Sequence, residues 1–328
     1  MVLETAWEII KFGYGLPFWF IYLKVVQILR KHHDRDFNTV FYRIVYYTGV
    51  SDCIGFWANT LINHWNTTPI LTDLYATYMT KETRLISPLY MMTYYTLYIS
   101  EFSGFLLALN RLSALCYPTK SEKFWRQHFN KILFLYITVP LSVCIHLLFY
   151  PIELECPSYR NCYFDAVEMF KLPGRMRVRS ALFSITCSVL TLILNSFSIF
   201  ILAVYRKHDK EMQAQRKLQR YTVCVFIVIL VLSLEQVAYV YKGLTDTKNP
   251  FIVIFISTYA HLYNAALLMS GVLLLFTSTK IRRYFFRRQP RIKTLIVAIF
   301  KGKSSGKQTV VCVTTIPHSA ISRIQSSY

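Results

Sequence analysis

Asp52, Glu101 and Glu235 each stand inside a long apolar run, and so does the amide Asn264. A carboxylate in hydrocarbon is costly unless it is protonated, paired or near water, so each acid needs a partner or a function. The chemistry open to such groups is passage of an ion or proton, recognition of a ligand, or hydrogen bonding between helices. Counted from one end of their runs, Asp52, Glu101 and Asn264 lie at similar depth, roughly 15–21 Å up at helical rise. They are read as a polar layer. It serves equally as a switch that repacks between two states and as glue between helices.

Aromatic residues gather on the other side of that layer. Tyr90, Tyr94 and Tyr98 recur every four residues, which puts them on one helix face. Glu235, Gln236 and Tyr239, with Tyr259, His261 and Tyr263, are placed to line the same cavity. Pockets between helices are typically aromatic with a few convergent polar groups, although such a stripe is also ordinary packing or an interface belt. Glu235 is the strongest single ligand candidate, because an acid within a membrane span needs a reason. His261 by itself reads as a hydrogen-bonded packing residue. Clustered histidine boxes, H-E-x-x-H and G-x-S-x-G are absent from the sequence, so no enzyme, metal or cofactor is expected.

Seven stretches can carry these groups across a bilayer: 9–29, 39–62, 85–110, 131–151, 180–205, 221–242 and 251–278. Each has the 20 or so residues that a roughly 30 Å hydrocarbon layer requires. The expected fold is therefore all-α: a polytopic membrane protein built as a seven-transmembrane helix bundle. Of the 37 Lys and Arg, 24 fall in the alternate connections and tail that share one side. The positive-inside rule puts that side in the cytosol and the N-terminus outside, with Lys171, Arg175, Arg177 and Arg179 as the local exception. The sequon Asn66-Thr67-Thr68 then faces outward as a glycosylation candidate. Cys156 and Cys162 share the long external connection 152–179, where an oxidising compartment favours a local disulfide. Pro151, Pro157, Pro173 and Gly174 break any helix there.

The chain of 328 residues is 54% hydrophobic, holds 24 Tyr and 24 Phe, and carries a net charge of +20. That composition excludes an ordinary soluble domain. The charge lies mostly on one membrane face, which points to anionic inner-leaflet lipid and a signalling partner, and away from nucleic acid. Residues 1–290 read as the membrane domain, closed by a cation-rich aromatic segment, Lys280–Arg288, that lies as a helix on the membrane surface. Residues 291–328 read as a basic, Ser/Thr-rich cytoplasmic tail.

The run Asn110-Arg111-Leu112-Ser113-Ala114-Leu115-Cys116-Tyr117-Pro118 resembles the D-R-Y-x-x-[IV]-x-x-P element of rhodopsin-like G-protein-coupled receptors, with Arg111, Ala114, Leu115 and Pro118 in register. Asn110 stands where those receptors keep an acid that restrains the arginine, which puts that ionic lock in doubt. A span-end arginine is also an ordinary snorkelling anchor. C-W-x-P and N-P-x-x-Y are missing. What does match is Tyr14-Gly15-Leu16-Pro17, Leu109-Asn110-Arg111-Leu112 with Tyr117-Pro118 and Lys123-Phe124-Trp125, and Lys217-Leu218-Gln219-Arg220. In these the chain resembles the nematode serpentine chemoreceptors of the gamma (Srg) class over roughly residues 9–290. The resemblance implies a chemosensory receptor in the plasma membrane of ciliated sensory neurons, coupled to a heterotrimeric G protein, with Asn110, Arg111 and Pro118 at the coupling face. A ligand-gated channel, or a secondary transporter using Asp52, Glu101 and Glu235, is the rival. Ten glycines and an odd span count suit a transporter poorly.

Overall fold

The chain's computed structural model describes residues 2–64, 84–158, 161–166, 175–204, 210–245 and 259–286. Among these residues seven long helices succeed one another: α1 Val2–Lys31, α2 Val40–Asn59, α3 Ser87–Cys116, α4 Phe129–Cys144, α5 Arg175–Val204, α6 Lys210–Thr245 and α7 Tyr259–Thr277. A short α8, Thr279–Phe286, leaves α7 at 95°, the turn a helix must make to run along a membrane surface. The one-turn helix His33–Asp36 links α1 to α2, and the ten-residue helix Pro118–Gln127 links α3 to α4. Pro118 sits in the first turn of that connecting helix, where its missing N–H costs nothing. α2 ends in a π turn, Thr60–His64, and α4 in a 3-10 turn, Ile145–Leu148.

One element departs from an all-helical reading. Ile152–Ser158 (β1) and Asn161–Ala166 (β2) pair antiparallel, with Ile152 opposite Ala166 and Ser158 opposite Asn161. The prolines do exclude helix, but they leave room for strand. Pro157 falls where the register shifts between Glu155 and Ser158, and a bulge is the place a sheet tolerates proline. The segment expected as a loop is therefore in part a hairpin.

α3 is the central helix, packed against α2, α4, α5 and α6, while α7 closes the ring against α1, α2 and α6. One apolar core cluster joins Leu97 and Tyr98 of α3 to Leu232 of α6 and Tyr263 and Leu267 of α7. Phe129–Leu148, Val178–Val204 and Arg216–Ala238 are long and apolar enough to cross a membrane outright; Leu262–Thr277 joins them when counted together with the helix beyond its bend. α2 and α3 are diluted by polar residues that face inward: Asp52, Asn59, Glu101 and Asn110 are all buried. The outward faces are apolar, as Leu182, Val189, Ile193 and Phe200 of α5 illustrate. This inside-out distribution is what lipid demands of a bundle.

Hydrogen bonds fix the two ends. Arg126 Nη2 donates to the carbonyl of Asn38 at 2.9 Å, and Lys280 Nζ lies 3.5 Å from the carbonyl of Asp36. The α1–α2 turn, the connecting helix and the start of α8 therefore share the Arg111 end. At the opposite end Ser87 Oγ donates to the carbonyl of Tyr150 at 2.7 Å, tying the start of α3 to the segment that leads into the hairpin. Met1–Phe285 is one compact unit; the second, Phe286–Tyr328, lies almost wholly outside the described residues, and the basic tail 291–328 lies wholly outside them.

Candidate functional site

At the Arg111 end the arginine is 6% exposed, and its neighbours include an amide, an aromatic face and, acting through space, Glu122. Its Nη2 donates to Asn110 Oδ1 at 3.0 Å, and its Cζ stands 4.2 Å from the centre of the Phe41 ring. A guanidinium over an aromatic face is attracted by the ring quadrupole, more strongly once both are desolvated. Phe41 in turn meets the buried Tyr221 of α6, with ring centres 6.0 Å apart. One ring of α2 thus touches the arginine of α3 and a tyrosine of α6. Tyr42 lies near Arg111 and near Ser278, at the α7–α8 junction. The acid missing at position 110 is replaced by an amide and a π face.

The connecting helix is docked by the same stretch of sequence. Trp125 is buried, and its indole N–H donates to Ser113 Oγ at 2.8 Å; Ser121 Oγ lies 3.0 Å from that hydroxyl. Gln219 Nε2 donates to Asn195 Oδ1 at 3.0 Å, pinning α6 to α5. Gly15 packs so closely on Phe56 that an added Cβ would lie 2.8 Å from its ring. Each matched sequence block therefore makes a contact between helices.

The expected polar layer is two tiers, not one. In the first, Tyr22 of α1 donates to Asp52 Oδ2 at 2.8 Å and Ser100 stands beside that carboxylate. Its neighbour Glu101 receives the hydroxyl of Ser184 of α5, which lies 2.7 and 2.9 Å from its two oxygens. Ser184 passes the layer on to α6, since its carbonyl accepts from Ser233, whose Oγ lies 2.6 Å from Ser188 Oγ. Asn264 belongs to the second tier. Its Oδ1 accepts from Asn59 at 2.8 Å, and its Nδ2 points at Thr60 Oγ1 at 3.4 Å. Asn59 is two turns along α2 from Asp52, roughly 10 Å away. Asn264 therefore bonds to α2 about two turns beyond Asp52 and not beside it.

Above the first tier the tyrosine stripe is continuous. Ring centres of Tyr90 and Tyr94 are 5.2 Å apart, those of Tyr94 and Tyr98 6.2 Å, and Tyr98 meets Phe183 of α5 edge-on at 5.1 Å. Tyr263 crosses from α7, donating to the carbonyl of Thr93 at 2.7 Å and lying 3.0 Å from Thr96 Oγ1. Gln236 Oε1 accepts from Ser180 at 3.1 Å, and Ser180 also stands beside the Tyr98 hydroxyl. One residue before Gln236, Glu235 is fully buried, and among the described residues neither of its oxygens has a hydrogen-bond partner.

A helical bundle with this arginine end and this aromatic end is what a membrane receptor needs, and the comparison with protein families decides which kind. The Srg family chemoreceptor model matches residues 8–285. The chain belongs to that family. It is a polytopic, seven-transmembrane chemoreceptor of the Srg family, and the match covers every helix described here except the first turns of α1 and the last residue of α8. Comparison with curated proteins gives no match.

Within this Srg bundle the structure brings together Tyr90, Tyr94, Tyr98 and Tyr263, and separately Asn110 and Arg111. The side chains of Tyr239, Tyr259 and His261 lie outside the described residues, as does Asn66. So do the side chains of Cys156 and Cys162, although the strand register sets Glu155 opposite Tyr163, which places the two cysteines next to paired positions. Cys53, Cys116, Cys144, Cys187 and Cys224 are free thiols. Tyr22, Phe41, Asn59 and Ser184 escaped sequence reasoning. Each is a common residue in an apolar run, and its role comes from a partner 25 or more positions away in the chain.

Proposed function

We propose that this Srg receptor binds a small external chemical among the helix ends remote from Arg111 and signals at the Arg111 end to a heterotrimeric G protein. The observation that carries the reading is Phe41, which contacts Arg111 on one side and Tyr221 on the other. Movement of α6 relative to α2 breaks that contact and frees the guanidinium, so one event releases the arginine and opens a groove between helices. A ligand drives the change only through its different affinity for the two states. The G protein meets Arg111, the connecting helix behind Pro118, and the basic start of α6. Ligand contacts come from the tyrosine stripe, Tyr239, Tyr259, His261, Tyr263 and Glu235. The two polar tiers lie between these ends and carry the rearrangement from one to the other.

The excess of Lys and Arg on the Arg111 side supports an external N-terminus and a cytoplasmic C-terminus. Lys280, Arg282 and Arg283 of α8 are positioned for anionic inner-leaflet lipid. The resemblance to nematode serpentine receptors favours the cilium of a sensory neuron as its site of action. The hairpin register supports a Cys156–Cys162 disulfide, and Asn66 is a glycosylation candidate on the same external side.

The test is a screen of odorants in cells expressing the full chain, read by cAMP and by ion current. Arg111→Ala is expected to lower ligand-evoked coupling by about 100-fold while surface expression is retained. Full signalling by that variant refutes the coupling assignment, and current without a G-protein-dependent signal marks a channel instead.

A further inference from the structure

We infer that the ligand class of this receptor is a protonated organic amine and that Glu235 is the group that pairs with its ammonium. The inference rests on the receptor reading above and adds the chemistry of its ligand. Glu235 is 0% exposed, and both carboxylate oxygens lack a hydrogen-bond partner among the described residues. The other two buried acids each have a hydroxyl donor, Tyr22 for Asp52 and Ser184 for Glu101. Asp52 keeps one oxygen without a partner, and Glu235 alone among the three has both in that state among the described residues.

Its position says what the opening is for. Leu232, one turn away on α6, packs in the central cluster with Tyr98 and Tyr263, and Gln236 is tied through Ser180 to the neighbourhood of the Tyr98 hydroxyl. Glu235 therefore lies on α6 between a residue packed with Tyr98 and Tyr263 and one hydrogen-bonded to α5, and it is shielded from lipid. Arg179, just before Ser180, is exposed, and among the described residues it makes no hydrogen bond to Glu235. A buried carboxyl without a partner suits an organic amine, because the arriving ammonium holds the group ionised and is itself attracted by aromatic faces. An anionic ligand opposes that ionisation, and a neutral alcohol supplies one hydrogen bond but no countercharge.

The experiment uses full-length receptor in lipid nanodiscs and in cells, with a panel of aryl- and alkylamines such as 2-phenylethylamine, tryptamine and octylamine. Their matched alcohols and carboxylic acids form the other two arms. Members of the amine arm are expected to raise the melting temperature and to signal, and Glu235→Gln to weaken them by about 30-fold or more, the effect of removing one partner of a desolvated charge pair. Glu235→Asp, which keeps the charge on a shorter stem, is expected to recover part of that loss, which separates pairing from misfolding. Response to alcohols or acids with none to amines, or amine response equal in wild type and Glu235→Gln, overturns the amine assignment and leaves the receptor reading intact. Silence from all three arms overturns both.

Discussion

Glu101 and Glu235 are the same residue, equally inaccessible, in the same bundle, and their surroundings treat them differently. Glu101 on the central helix receives a hydroxyl of α5 at both oxygens; Glu235 on α6 receives nothing among the described residues. A satisfied buried polar group locks its neighbours, whereas an unsatisfied one carries a desolvation penalty of about 1–3 kcal/mol or more that a partner can relieve. The contrast teaches where this bundle is finished and where it is open. Around Asp52 and Glu101 the protein supplies its own donors. Around Glu235 the described residues supply none, and that is the place the proposed amine would fill.

Converting finished positions into open ones tests that contrast. The largest effect is expected from Gly271→Ala, because a Cβ there would lie 2.1 Å from the Tyr22 ring. The ring must move, which overpacks the α1–α7 contact and pulls the Tyr22 hydroxyl from Asp52; a loss of about 3 kcal/mol is expected in thermal or denaturant unfolding of the purified receptor. Ser184→Ala removes the donor to Glu101 and makes a second Glu235, with an expected cost of about 1–3 kcal/mol by the same measurement. If Ser184→Ala is neutral, the hydroxyl was not what accommodated Glu101, and the contrast collapses. The smallest effect is expected from Asn59→Ala in the second tier, about 0.6–1.7 kcal/mol, the range of hydrogen bonds between membrane helices.

The spans were legible because hydropathy along a chain reports what faces lipid, and most of the outward faces of α4 and α5 are apolar. Hydropathy marks only the membrane part, so the reading of α6 began at Tyr221 although the helix starts at Lys210, where polar turns project beyond hydrocarbon. The hairpin was missed because proline was weighed against helix alone; Ile152, Leu154 and Cys156 alternating with Glu153 and Glu155 was an available strand signal. Arg111 and Glu235 stood out as charges in apolar runs. Their surroundings did not. Nothing local distinguishes Phe41 among the 24 phenylalanines, and the partnership of Asn59 with Asn264 spans 205 positions. Individual acids could be found from composition, but which of them was already satisfied required three dimensions.

Three glycine sites around α1 carry a mechanical consequence. Gly15 against Phe56, Gly49 against Val26 and Tyr22, and Gly271 against Tyr22 leave no space for even a methyl group, so α1, α2 and α7 interlock like cut stones. The α5–α6 seam is held largely by short side chains, Ser180 with Gln236 and Ser188 with Ser233, whose hydroxyls can trade partners by rotating. The molecule thus joins a corner that resists shear to a seam whose hydroxyls can exchange partners without any backbone clash.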